Sequence, residues 1–173
     1  SKTIQVDNTA PAAPEALAVD GGDGWRASNG FTITWTNPAD GGGSPIASAE
    51  YRLCRASGGD CITGRRDAAG VNRLENLQVP APGDWVLTVG LRDGAGNTSS
   101  ASVAETRLRY DPTAPEVAFE AANPSDPTLV TAKASDAHSG VVEARIEIRK
   151  RGDDTWQTLP STLEAGRVQA RID

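Results

Sequence analysis

Histidine is almost absent from this chain, with one residue, His138, in 173. Cysteine occurs twice, at Cys54 and Cys61, and aromatic residues make up only 5%. A structural zinc site takes four Cys or His ligands, so one cysteine pair and one histidine leave zinc unsupported. Acyl-transfer chemistry fares no better. A Ser-His-Asp arrangement needs a serine on a strained elbow, and no G-x-S-x-G occurs. His138 lies in a polar turn and reads as a solvated loop residue. Positive charge is not in excess either. Seventeen Lys and Arg are dispersed among twenty-three Asp and Glu, giving a formal net charge of −6. Binding to a duplex requires a basic face that displaces counterions, so nucleic acid and anionic membrane are poor partners. No apolar run approaches the ~20 residues of a membrane span, so membrane insertion is not expected. No stretch shows the 3.6-residue periodicity of a helix. There is no signal-peptide pattern, and the chain begins at Ser1 without Met, which reads as a processed or excised portion of something longer.

Turn formers are plentiful, with 18 Gly and 11 Pro. Four of the eight aromatic residues are tryptophan. Such rings usually anchor cores, each burying on the order of 200 Å². The length permits one domain or two. A linker repeats: Val6-Asp7-Asn8-Thr9-Ala10-Pro11 matches Tyr110-Asp111-Pro112-Thr113-Ala114-Pro115 at an offset of 104 residues. Upstream, Ile4 matches Leu108 and alternates with Val6 in the pattern of a strand running into a proline-stiffened connector. A recurrence near 104 fits one β-sandwich per period.

Seven strand signals fall between the two linkers. They are Leu17–Val19, FTITWT, AEYRLC, CITGRR, VNRLENLQV, DWVLTVGLRD and SASVAETRLRY, separated by turn clusters such as DGGDG, NPADGGGSP, PAPG and DGAGN. In FTITWT, Phe31, Ile33 and Trp35 share one face. YRLCRASGGDCIT reads as a hairpin that places Cys54 opposite Cys61, within disulfide range. Two free thiols or half a zinc site is the alternative reading. A disulfide there implies an oxidising compartment, and the chain is expected to be secreted or at the cell surface.

ITWTNPADGGGSPIASAEYRL resembles the B strand, BC loop and C strand of fibronectin type III domains. VLTVGLRDGAGNTSSAS resembles their F strand, FG turn and G strand. The resemblance covers about Pro11–Tyr110 and implies that Trp35, Tyr51 and Trp85 are core anchors. It also implies a departure, because Trp85 stands where that family has its corner tyrosine. An indole donates only through its N–H, so the corner hydrogen bond is expected to be replaced or rerouted. From Pro115 the chain resembles a bacterial immunoglobulin-like repeat, with five strands at VAFEA, TLVTAKASD, VVEARIEIRKR, DTWQTLP and GRVQARID. The last strand pair of that pattern is missing. The expected fold is therefore all-β: tandem antiparallel sandwiches, the second incomplete. Residues 1–10 are a linker and the remnant last strand of a preceding module, 11–110 a fibronectin type III-like sandwich, and 111–173 a partial immunoglobulin-like one.

The resemblance implies non-catalytic spacer modules of a larger bacterial surface or secreted protein, with no cofactor and with neighbouring modules as partners. The alternative is an adhesion or binding module for a protein or glycan ligand that the sequence does not name. It includes head-to-tail assembly, with SKTIQV completing a neighbour's open edge. Asp93, Asp111 and Asp136 are calcium candidates by residue type, although no D-x-D-x-D-G spacing is present. Asp20, Asp23, Asp153 and Asp154 read as turn formers rather than acid–base pairs. Arg151-Gly152-Asp153 spells an integrin-recognition tripeptide on a turn that backbone preference alone would explain. Trp156 reads as a packing residue. The only lysines, Lys2, Lys133 and Lys150, are not paired for isopeptide crosslinking by anything in the sequence.

Overall fold

A computed structural model describes residues 6–39 and 43–172. The SKTIQ part of the proposed orphan strand lies outside the described residues. All regular structure among the described residues is β. The chain divides into two compact units, Ser1–Pro112 and Thr113–Asp173.

The first unit holds eight strands: β1 (Glu15–Val19), β2 (Trp25–Arg26), β3 (Phe31–Thr36), β4 (Ile46–Arg55), β5 (Cys61–Asp67), β6 (Arg73–Leu77), β7 (Gly83–Asp93) and β8 (Thr98–Tyr110). A three-stranded sheet, β1-β3-β6, faces a five-stranded one, β2-β8-β7-β4-β5. The period-two pattern decides which side chains go inside. Every second residue of β7 from Gly83 to Asp93 is buried, and the intervening ones are half-buried. Phe31, Ile33 and Trp35 of β3 meet Trp85, Leu87, Val89 and Leu91 of β7 in one core, joined by Ala49 and Leu53 of β4 and Leu108 of β8. Two facing sheets sharing one core make this unit a sandwich.

The seven expected strands are all present. The eighth, β2, is an addition, and it pairs parallel with β8, setting Trp25 against Arg109. It follows the DGGDG turn, where the Arg26 guanidinium donates to the carbonyls of Asp20 and Gly22. Two residues are too few to show alternation, so periodicity does not reveal such a strand.

The second unit holds β9 (Glu116–Phe119), β10 (Leu129–Ser135), β11 (Ile146–Ile148), β12 (Gln157–Leu159), β13 (Ser161–Glu164) and β14 (Arg167–Arg171). Its larger sheet has the order β13-β14-β10-β9, the strand order that an ABED sheet of an immunoglobulin-like sandwich also has. The pair β11-β12 stands alone. In the first unit β4 is flanked by both β5 and β7. Its counterpart β11 pairs only with β12 among the described residues. The sandwich is thus incomplete as expected, and Val117 and Phe119 of β9 are 62% and 69% exposed.

The five strands expected here become six. Where DTWQTLP predicts one strand, the chain leaves β12 at Pro160 and joins the other sheet as β13. Proline has no N–H to continue a ladder. Ser161 stitches the crossing, accepting from the Ile146 amide at 3.0 Å and donating to the Leu159 carbonyl at 2.9 Å. VVEARIEIRKR contracts to the three residues of β11, those that pair with β12.

Asp126 accepts both arms of the Arg171 guanidinium, at 3.0 and 2.7 Å, which ties the β9–β10 connection to β14. That fork holds the Asp126 carboxyl below the usual aspartate range. The β13–β14 hairpin turns through Ala165 (φ 48°) and Gly166 (φ 76°). Two left-handed residues suit the twist of a two-residue hairpin, but alanine tolerates that conformation poorly. Ala165→Asn should raise the stability of the second unit by up to about 1 kcal/mol, read as a higher denaturation midpoint. An unchanged or lower midpoint would contradict the turn assignment.

Candidate functional site

The described residues converge most strongly at one end of the first unit, where the β3–β4 loop and the β7–β8 turn meet the linker that precedes β1. The turn is DGAGN. Asp93 is 3% exposed. Its two carboxylate oxygens accept from the Asn97 amide at 2.8 Å and the Asn97 side-chain NH₂ at 2.9 Å. The Gly94 amide donates to the Pro45 carbonyl at 2.9 Å, joining this turn to the β3–β4 loop. The sequence favours this arrangement because Asp and Asn readily bond backbone groups a few residues away.

The linker residue Asp7 docks there. Its carboxylate accepts from the Ser44 amide at 2.6 Å and the Thr9 amide at 3.0 Å. Its carbonyl accepts from the Asn97 side chain at 3.0 Å. The Ser44 amide, then the Thr9 amide, holds the Asp7 carboxyl below the usual aspartate range. Burial works the other way but is outweighed. The charged form is therefore favoured by folding, and the contact weakens only as pH falls through the lowered value. Gly43 makes room: a Cβ at that position would lie 2.6 Å from an Asp7 carboxylate oxygen. Asp7 was not among the candidates read from the sequence. The signal was present, because the repeated linker contains it.

Asp93 and Asp111 lie at opposite ends of the antiparallel β7–β8 pair. Asp111 is 6% exposed, and its amide donates to the Arg26 carbonyl at 2.9 Å. Asp136, in the second unit, organises the SDAHSG turn. One of its oxygens accepts from the amides of His138 and Gly140 at 2.9 and 3.0 Å and from the Ser139 hydroxyl at 3.3 Å. No group of three or more metal-ligating side chains occurs among the described residues.

Cys54 and Cys61 are disulfide-bonded, with Cα atoms 4.1 Å apart across the β4–β5 ladder. Trp35 is 5% exposed and donates to the Asn37 side chain at 2.9 Å. Tyr51 is half-buried against the core and lies over Gly64 of β5, where a Cβ would collide with its ring. Trp85 is 1% exposed. Its N–H donates to the Ala81 carbonyl, four residues upstream, at 2.9 Å. That is the reach of a tyrosine corner made by an indole. The Arg55 guanidinium covers the ring, 4.8 Å from its centroid.

Two tryptophans are not core residues. Trp25 is 36% exposed. Trp156 corrects the packing expectation. It is 61% exposed, with the Arg149 guanidinium over its ring at 4.9 Å. It immediately precedes β12 in the two-stranded sheet. Arg151-Gly152-Asp153 occupies the nearby β11–β12 turn, closed by the Asp153 amide donating to the Lys150 carbonyl at 3.0 Å. Lys133 pairs with Glu120 at 3.4 Å.

No family model and no curated protein matches the chain. Among solved structures it is similar to "Titin kinase and its flanking domains", at 13% identity and a TM-score of 0.41, over 73% of this chain and 27% of that one. It is also similar to the FN1–FN3 domains of chicken CNTN1, at 15% identity and a TM-score of 0.42, over 99% of this chain and 60% of that one. The chain thus spans less than two thirds of either. Likeness at this level carries no argument about activity or ligands.

The indole corner generates a test. Trp85→Phe removes the N–H, leaves the Ala81 carbonyl short of a donor and shrinks the ring under Arg55. The expected loss is about 1–3 kcal/mol by denaturant titration. A loss below about 0.5 kcal/mol would show that the corner bond contributes little to the fold.

Proposed function

We propose that this chain is a non-catalytic spacer stretch of a larger extracellular or cell-surface protein. One observation carries the reading. The linker enters the first unit at the β7–β8 turn, where Asn97 holds the Asp7 carbonyl. The chain leaves at Tyr110, opposite Gly83 at the far end of the same strand pair. β8 has 13 residues, which at about 3.3 Å each span about 40 Å. Domain termini commonly lie close together. Here they are separated by the length of the sandwich, so each such unit inserted in a chain adds reach. The repeated proline linker joins such units with little slack, and the disulfide suits an oxidising compartment.

A second reading has its own observation. In the second unit Val117, Phe119, Val142 and Trp156 are all more than 60% exposed. Exposed apolar side chains beside an unpaired strand edge favour a binding or adhesion module, including head-to-tail assembly by strand addition.

Two measurements separate these readings. Dyes attached through non-cysteine chemistry at Asn8 and Pro112 should report a separation near 40 Å with a narrow spread. A separation under about 20 Å would end the spacer proposal. Sedimentation at rising concentration should show a growing dimer or chain population if strand addition operates. A monomer throughout would remove that reading.

A further inference from the structure

We propose that the groove between the β3–β4 loop and the β7–β8 turn is a receptor for an Asp-x-Thr-Ala-Pro linker, so that a unit of this kind grips the segment preceding it. Three features recommend the assignment. The recognised group is a carboxylate. Ser44, 37 residues away in sequence, aims its amide at one oxygen. Thr9, two residues on, aims its amide at the other. Charge-assisted bonds of this kind are roughly twice as strong as neutral ones.

The seat also has a size limit. A methyl group at Gly43 would lie 2.6 Å from an Asp7 carboxylate oxygen, so the carboxylate would have to leave its present position. Glutamate, one methylene longer, would drive its carboxylate into the loop.

The third feature is the bridge made by Asn97. Its NH₂ donates to both the Asp7 carbonyl and the Asp93 carboxylate. The residue that shapes the turn therefore also reads the linker backbone. DGAGN, which looks like ordinary turn chemistry, becomes a linker-reading element. The second linker copy, Asp111 to Pro115, carries the same Asp, Thr, Ala and Pro groups. In the first copy the motif is thus a ligand that docks as well as a stiff connector.

This inference deepens the spacer reading and rests on it for its biological use. Its test is local. Amide hydrogen exchange at Ser44 is measured by NMR on the full 173-residue chain. Ser44 is the reporter because its donor bond spans the groove, whereas the Thr9 bond stays within the linker. Asp7→Ala, Asp7→Glu and Gly43→Ala should each speed exchange at Ser44 about tenfold or more, while amides of β7 keep their protection. The β7 amides show that each variant still folds. Wild-type exchange at Ser44 matching an open loop would overturn the proposal. So would an Asp7→Glu variant as protected as the wild type. Failure of the spacer reading appears separately, in the separation between Asn8 and Pro112.

Discussion

The architecture of the first unit depends on β7 being buried at every second residue. Trp85, Leu87, Val89 and Leu91 project from one face of that strand into the only space where both sheets can reach them. The same strand pairs with β4 on one side and β8 on the other. It therefore supplies one of the core's two tryptophans and the centre of the five-stranded sheet at once. The remaining features fall at its ends. At one, Trp85 turns its N–H back to Ala81 and takes Arg55 across its ring. At the other, Asp93 folds the turn that receives Asp7.

The second unit shows what happens without such a strand. Its buried core is Ala132, Ala134, Ile146, Leu159, Val168 and Ala170, three of them alanines. Less apolar area leaves water there than in the first unit, where two tryptophans and a phenylalanine are buried. Val117 and Phe119 of β9 remain exposed. Ion pairing at the surface, as between Arg171 and Asp126, organises connections but does not replace a second sheet.

Legibility followed interaction range. The alternation in FTITWT and DWVLTVGLRD is a property of adjacent residues, so β3 and β7 and their buried faces could be read directly. The Cys54–Cys61 pairing was readable because a short hairpin sets its own register. Features built by distant segments were not. β2 is held by β8, more than eighty residues on. The split at Pro160 depends on two sheets being offered to one strand. Trp156 was misread because tryptophan composition argues for burial, and only the location of neighbouring strands decides it. Asp7 was visible within the repeat but not as a ligand, since its partners Ser44 and Asn97 lie 37 and 90 residues away.

By itself the sequence showed that the described chain is β, that its strands pack as sandwiches with the second incomplete, that two cysteines face each other across a hairpin and that a linker recurs. These follow from periodicity and turn chemistry, which act over a few residues. Tertiary structure alone decided that a linker aspartate is held by two loops, that the Trp85 N–H reaches the Ala81 carbonyl, and that β2 pairs with β8. Each of these depends on which backbone groups arrive at the same place, and that is a property of the packed chain rather than of any window along it.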